Sequence, residues 1–284
     1  HVLLESRFQH FIIPRAGGFS ILREGNDRQS VRTAIDLVAN DSRPLIIFPE
    51  GYVTRTNDQL GALQEGISLI ARQAATQRSK GQNGPSVIHP VIIKYQFLGD
   101  SGNAITPKLE CLEKKLRLKN HSSTDLIMRL EQIRERIITN GEQKLNGKVL
   151  DGSLYNRASE LIEALLKPLE NEWKCAGYSE DVYKRVQQLR AIILNHAVDK
   201  NKGEHPQLRL QLEDCTWALK LSNYNPDYIT EEPCIERVME TLDGFEEDVF
   251  GCIQANRPWK MVIDIGKAIR AEPRDKSLGQ QLNM

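Results

Sequence analysis

Two patterns of apolar and polar positions follow one another along the chain, and the change comes near residue 100. Over residues 11–97, short apolar runs alternate with segments in which apolar side chains recur every three or four positions. Runs of the first kind predict strands, and segments of the second kind predict amphipathic helices. Because this alternation is typical of βαβ units, we expect residues 1–100 to form an α/β domain with a mainly parallel sheet and flanking helices.

The first part contains three predicted strands and two predicted helices. The strands are expected at 17–22, 44–48 and 86–97, with Pro90 interrupting the last one. The apolar spacing predicts helices over 28–40 and about 59–77. Asn26, Asp27 and Ser30 are candidate N-caps of the first helix, because their side chains can accept hydrogen bonds from its free amides.

Residues 101–284 have the helical period almost throughout, which predicts an all-α domain. Within it, Pro168 is expected to kink or divide a helix that begins near Leu154. Residues 260–265 are the exception, because they alternate like a strand and could return to the sheet of the first domain. The polar residues from 272 to 284 are expected to form a solvated tail. The apolar stripes are Leu126, Leu130, Ile133 and Ile137; Leu154, Ala158, Leu161, Leu165, Leu169 and Trp173; Val182, Val186, Leu189 and Ile193; Leu208, Leu212, Cys215 and Leu219; and Ile235, Val238, Leu242, Phe245 and Val249.

Composition adds exclusions to this picture. The 38 Lys and Arg residues balance 38 Asp and Glu residues, so the overall charge offers no attraction to nucleic acid. No apolar run approaches the roughly 20 residues that a membrane-spanning helix needs. The five cysteines contain no CxxC pair, which favours a reducing, cytoplasmic environment and gives no metal site. We therefore expect a cytoplasmic protein without a metal or a bound cofactor.

The segment 45–58, LIIFPEGYVTRTND, is the main candidate for chemistry. Pro49 ends the predicted strand, Glu50 follows, and Gly51 can adopt the positive φ of a sharp turn. Ligands bind at the carboxyl edge of an open α/β sheet, so this turn would hold the carboxylate in a binding crevice. Arg23 follows the preceding predicted strand and Arg55 follows the turn, and two guanidinium groups there suit a phosphate.

These residues resemble the glycerolipid acyltransferases, the family of lysophosphatidic acid and glycerol-3-phosphate acyltransferases. Three of the four short blocks of that family have counterparts here, spread over about residues 17–93. The blocks are GGFSILR, ending at Arg23; Phe48, Pro49, Glu50 and Gly51, with Thr54 and Arg55 displaced by two positions from their usual place; and Ile88, His89, Pro90 and Val91, with His89 where the family has an apolar residue.

The catalytic block of that family, His followed at the fifth position by Asp, has no counterpart. The fifth residue after His1 is Ser6, and the fifth after His10 is Arg15. In the family the imidazole takes the proton of the acceptor hydroxyl and the Asp orients it. We expect this block to lie upstream of His1, and no catalytic residue is assigned within the sequence.

The resemblance implies an enzyme of phospholipid biosynthesis that moves a fatty acyl group from acyl-CoA or acyl carrier protein to a hydroxyl of a glycerol-phosphate-like acceptor. It implies a substrate-binding site made of Arg23, Phe48, Pro49, Glu50, Gly51 and Arg55. Within it, Arg23 and Arg55 bind the acceptor phosphate, Glu50 engages the acceptor hydroxyl, and Gly51 lets the backbone approach. No metal or cofactor is implied beyond the acyl donor.

Several alternatives stay open. The chain could be a non-catalytic interaction or regulatory protein built on an acyltransferase-like domain, or a helical binding module with an incidental α/β cap. Arg23 could instead pair with Glu24 or Asp27 at the surface, and residues 48–51 could be an ordinary turn after a strand. A lipid substrate implies peripheral contact with the inner membrane face, and the candidate patch is 10–19, HFIIPRAGGF, with an internal strand as its alternative.

Overall fold

The computed structural model describes most of the chain as two compact units. Unit 1 comprises residues 1–52, 62–90 and 265–284, and unit 2 comprises residues 53–61 and 91–264. The described residues are 11–12, 15, 17–19, 27–41, 43–51, 55–56, 58–61, 63–81, 84–118, 125–175, 179–199, 206–224, 228–229, 232–254, 258–273 and 278.

The regular elements within these residues are mostly helices. In chain order they are α1 Arg28–Asn40, α2 Gly66–Lys80, β1 Ser86–Ile88, β2 Val91–Phe97, α3 Ser101–Lys115, α4 Leu126–Asn146, α5 Leu154–Glu172, α6 Val182–Asp199, α7 Pro206–Ser222, α8 Ile235–Phe250, β3 Trp259–Ile265 and β4 Ile269–Ala271.

Helix α1 of unit 1 confirms the predicted helix over 28–40. Of the three candidate N-caps it is Asp27 that acts, because its Oδ1 accepts a hydrogen bond from the Ser30 amide at 2.9 Å. The second predicted helix is present as α2 but begins at Gly66, later than the predicted residue 59. Its alanines pack against both α1 and the strand β4 in small apolar clusters.

The prediction that residues 272–284 form a solvated tail is wrong at Leu278. Leu278 is fully buried and packs with Ala71, Ala75 and Ala271 in one of the small clusters of unit 1. The burial of Leu278 could not be predicted from the sequence, because a single leucine among polar residues forms no periodic apolar pattern.

The predicted mainly parallel sheet is wrong. The structure is 61% helical, and its described residues form only two small antiparallel sheets of two strands each. In unit 1, β1 pairs antiparallel with β4 in the register Ser86 to Ala271 and Ile88 to Ile269. In the second sheet, β2 pairs with β3, so the strand predicted at 260–265 is confirmed and the break at Pro90 separates β1 from β2.

Residues 44–48 show why the sheet was wrongly predicted. This segment is not a strand, and Ile46 and Phe48 are 79% and 77% exposed. A strand of a parallel sheet needs burial on both faces, and a short apolar run does not reveal whether a partner strand exists. Of the strand predicted at 17–22, residues 17–19 have no regular structure and residues 20–22 lie outside the described part of the chain.

Unit 2 contains α3 to α8, as the helical period after residue 100 predicted. The predicted stripes contribute to its two apolar cores, to which α3 adds apolar residues that no predicted stripe included. The first lies among α5, α6 and α7 and includes Leu166, Leu189 and Cys215; the second lies among α3, α4 and α8 and includes Leu109, Ile133 and Phe245.

Helix α5 continues from Leu154 to Glu172 through Pro168, so the predicted division at this proline does not occur. The side chains on both sides of the proline, Leu166 and Leu169, are buried in the first core. Tertiary packing of the apolar stripe therefore outweighs the missing amide of the proline.

Candidate functional site

The predicted turn at residues 48–51 exists and is fixed by its own backbone and by Gln64. The Gly51 amide donates to the Phe48 carbonyl at 3.3 Å, and Gly51 has φ +78°. A side chain is strained at this φ, so the position suits glycine. The Gln64 amide donates to the Pro49 carbonyl at 2.8 Å, and the Gln64 Nε2 lies 3.5 Å from the Glu50 carbonyl. The turn thus belongs to unit 1 and is attached to the residues that lead into α2.

The side chains of the turn differ in exposure. Phe48 is largely exposed, whereas Pro49 and Glu50 are half-buried. The turn thus carries an exposed aromatic side chain at Phe48 and, two positions later, the carboxylate of the half-buried Glu50. This arrangement can contact a ligand that has both an apolar portion and a hydroxyl.

The other two blocks of the family resemblance contribute partly to the same unit. Gly17 of the first block has φ +87°, and in the last block Ile88 ends β1 and is followed by His89 and Pro90. The Pro90 carbonyl accepts a hydrogen bond from the Gly266 amide at 2.8 Å, and His89 is exposed. Val91, the final residue of that block, begins β2 and belongs to unit 2.

Arg23 lies outside the described residues. Its expected place beside Glu50 depended on two parallel strands ending at one sheet edge, and that sheet is absent from the described part of the chain. The role of Arg23 stays a prediction, now without the geometric argument for a shared crevice.

Arg55 lies in unit 2 and is held by helix α8. Its Nη2 donates to Glu247 Oε2 at 2.6 Å, and its Nη1 donates to Asp248 Oδ2 at 3.2 Å. Nη1 also donates to the Gly244 carbonyl at 3.2 Å. A Cβ atom on Gly244 would come within 3.0 Å of that nitrogen, so the glycine allows the guanidinium to approach the helix backbone. Burial acts to lower the pKa of Arg55, but the charges of Asp248 and Glu247 outweigh it and raise the pKa.

Asp248 is the centre of a buried polar network that sequence reasoning missed. Its carboxylate is fully buried and also accepts from the Lys220 ammonium at 3.0 Å and from the Tyr224 hydroxyl at 2.6 Å. Burial first, and then the charge of Asp248, raise the pKa of Tyr224 well above its usual value, so the phenol stays protonated and donates. The available signal was the acidic run at 246–248 within an amphipathic helix, because carboxylates on a packed helix require cations nearby.

Within the described residues, Cys215 is not a candidate nucleophile and no candidate metal site is present. Cys215 is fully buried, and burial raises the pKa of its thiol to about 12, so it is protonated at neutral pH and unsuited to nucleophilic chemistry. Among the described residues, no group of three or more His, Cys, Asp and Glu side chains could hold a metal ion. The helices of the described part of the chain are all too short or too polar to cross a membrane.

Comparisons of this chain with protein-family models, with curated proteins and with solved structures find no match.

Proposed function

We propose that this protein takes part in acyl transfer from acyl-CoA or acyl carrier protein to a hydroxyl of a glycerol-phosphate-like acceptor. The observation that carries the proposal is the turn Phe48–Gly51, in which the sequence Phe-Pro-Glu-Gly adopts a closed turn with Gly51 at positive φ. The sequence supports the proposal through the order of the three blocks along the chain. The parallel sheet predicted around these blocks gives no support, because it is absent from the described residues.

The roles follow from the chemistry of the reaction. The acceptor hydroxyl oxygen attacks the thioester carbonyl, the ester bond forms, the carbon–sulfur bond breaks, and the hydroxyl proton ends on the released thiol. Glu50 would accept a hydrogen bond from an acceptor hydroxyl and so orient it, while Gly51 lets the backbone approach the ligand. The group that removes the proton is not assigned within this chain.

The contacts of Arg55 favour Arg23 over Arg55 as the phosphate ligand. Arg55 already donates to two carboxylates, and a phosphate would have to displace them from a partly buried site. We therefore expect Arg23→Ala to raise the KM for the phosphorylated acceptor. For Arg55→Ala we expect the main effect to be a loss of stability.

The test is acyl transfer by the full-length natural protein, followed with radiolabelled acyl-CoA or acyl carrier protein and with glycerol-3-phosphate or lysophosphatidic acid as acceptor. Glu50→Gln, which keeps the shape and removes the charge, should abolish product formation. The matched control is Glu65→Gln in the same unit, where the exposed carboxylate makes no capping hydrogen bond to α2. Full activity of the Glu50→Gln variant would refute the role of the turn.

A second candidate is a non-catalytic interaction protein. It is favoured by the same contacts of Arg55, because a guanidinium committed to α8 contributes to stability and not to ligand binding. A folded full-length protein that forms no ester with any of the donors and acceptors above would support this candidate over the enzyme.

A further inference from the structure

The chain between Pro49 and Gln64 forms a loop whose two ends belong to unit 1 and whose middle belongs to unit 2. The hydrogen bond from the Gln64 amide to the Pro49 carbonyl closes this loop at its base, next to Glu50 in the chain. The described residues of the middle are 55–56 and 58–61, which we call the strap. A loop whose middle is fixed has fewer conformations, so contacts of the strap also restrain the base of the loop.

Two ion pairs attach the strap to helix α8 within unit 2. The first is made by Arg55, which donates to Glu247 and Asp248 near the C-terminus of the helix. The second lies nearer the N-terminus, where Arg237 Nε donates to Asp58 Oδ2 at 2.7 Å. The Arg55 pair is largely buried, whereas the Asp58 side chain is 40% exposed. The second attachment can therefore be removed without opening the interior of unit 2.

The Asp58 pair is better ordered than most exposed ion pairs. Arg237 is held by Tyr228, because its Nη1 donates to the Tyr228 carbonyl at 3.1 Å. Its guanidinium carbon also lies 4.9 Å from the centre of the Tyr228 ring. On the strap, the Gln59 amide donates to the Thr56 carbonyl at 3.0 Å and closes a turn that contains Asp58. Much of the entropy cost of pairing two surface side chains is thus met before the contact forms.

The two attachments lie along one face of α8 and have opposite polarity. Arg237, Gly244 and Asp248 are spaced by seven and four positions, so they share one side of the helix. From Arg55 to Asp58 the strap runs antiparallel to α8, since its partners lie first near the C-terminus and then near the N-terminus. A strap in the opposite direction would bring like charges together at both ends. The charge pattern therefore specifies one direction.

We propose that Asp58 and Arg237 are positioning residues for the turn at residues 48–51. By attaching the strap to α8 they restrain the base of the loop, and with it the Glu50 carboxylate that orients the acceptor hydroxyl. The inference rests on the proposed function, because that function gives Glu50 its role. Asp58 and Arg237 do not touch the substrate in this account and act on Glu50 through the loop.

The experiment measures hydrogen exchange of the Gly51 and Gln64 amides in the whole chain, because these amides donate the hydrogen bonds of the turn and the loop base. Asp58→Asn should speed the exchange of both by about threefold, while the amides of α5 exchange at an unchanged rate. The matched control is Glu213→Gln, which removes an exposed carboxylate paired with Arg209 at 3.2 Å and should leave all these rates unchanged. Equal exchange of the two amides in Asp58→Asn and in the unmodified protein would overturn the proposal.

A double-mutant cycle tests whether the two residues act through their mutual contact. Arg237→Gln should also speed the exchange of the Gly51 and Gln64 amides. The double variant Asp58→Asn/Arg237→Gln should exchange at the rate of Arg237→Gln alone, because the contact can be lost only once. Single effects that multiply in the double variant would contradict the pairing.

Acyl transfer by the full-length natural protein separates this inference from the proposed function. In Asp58→Asn, kcat should fall by about the same factor by which exchange at Gly51 rises, because Glu50 is less often in its productive orientation. An active Asp58→Asn variant with a loosened turn and an unchanged kcat would overturn the positioning role. If the unmodified protein forms no ester, the proposed function fails, and the exchange rates of Gly51 and Gln64 still decide whether the strap restrains the turn.

Discussion

The two units bury different kinds of side chain. The two cores of unit 2 contain large residues with almost no exposed surface, such as Leu109, Leu166, Met239 and Phe245. The described clusters of unit 1 consist mainly of alanines, with Ile35 and Leu278 as the larger members. Apolar burial stabilises a fold in proportion to the area removed from water, so the described part of unit 1 gains less from its core than unit 2 does.

The two units also differ in the partners of their charged side chains. Unit 2 buries ion pairs between its helices, among them Arg157 with Glu142 and Arg185 with Glu170. In unit 1, Arg78 donates instead to the backbone carbonyls of Val38, Ala39 and Gly84. The comparison indicates that unit 2 supplies most of the stability, while unit 1 carries the exposed turn to which we attribute function.

The largest expected effect comes from a buried ion pair of unit 2. Arg157 donates to both carboxylate oxygens of Glu142, at 2.9 and 2.7 Å, and the Glu142 side chain is fully buried. Arg157→Met leaves that carboxylate uncompensated, so we expect the free energy of unfolding to fall by about 3–5 kcal/mol in urea denaturation.

Two further variants control this prediction. Arg209→Met removes an exposed partner of Glu213 on α7 and should cost less than about 1 kcal/mol. The double variant Arg157→Met/Glu142→Leu should regain much of the lost stability, because no buried charge is left unpaired. Equal losses for Arg157→Met and Arg209→Met would show that the buried ion pair of unit 2 contributes no more to stability than an exposed one.

The next effect tests the apolar core of unit 2. Leu166 on α5 is fully buried, so Leu166→Ala should lower the free energy of unfolding by about 2–5 kcal/mol. Leu210→Ala on α7 is the control, because Leu210 is mostly exposed and its truncation leaves no cavity. A thermal scan in which both variants unfold at the temperature of the unmodified protein would contradict the burial of the α5 stripe.

The smallest effect is expected in unit 1. Phe48→Ser should change the free energy of unfolding by no more than about 0.5 kcal/mol, because the ring is largely exposed. A loss of several kcal/mol would mean that residues 44–48 are packed like a strand of a buried sheet. The claim that unit 2 supplies most of the stability would then be wrong. If the turn binds a lipid-like substrate, this variant should reduce acyl transfer while its melting temperature stays unchanged.

The sequence was a good guide to helices and a poor guide to the sheet. Stripes such as Leu161, Leu165 and Leu169 predict a buried face because a helix needs only local information to place its side chains. The strands at 86–97 and 260–265 were also found, but their pairing is long-range, and no local pattern states which strands are partners. The strand predicted at 44–48 is wrong because an apolar run does not show whether a partner strand exists.

The candidate site shows the same limit. The turn at 48–51 was predictable because Pro49 and Gly51 determine the backbone locally. The partners of Arg55 were not, since Glu247 and Asp248 lie more than 190 positions away along the chain.

Native-state hydrogen exchange tests the comparison most directly, because it reports the free energy of opening amide by amide in one sample. We predict that amides of α5 between Leu161 and Leu169 exchange only through global unfolding. Hydrogen-bonded amides of α1 and α2 should exchange at least about tenfold faster, through openings that leave unit 2 folded. Protection of α1 and α2 equal to that of α5 would contradict the claim that the stability of this protein lies mainly in unit 2.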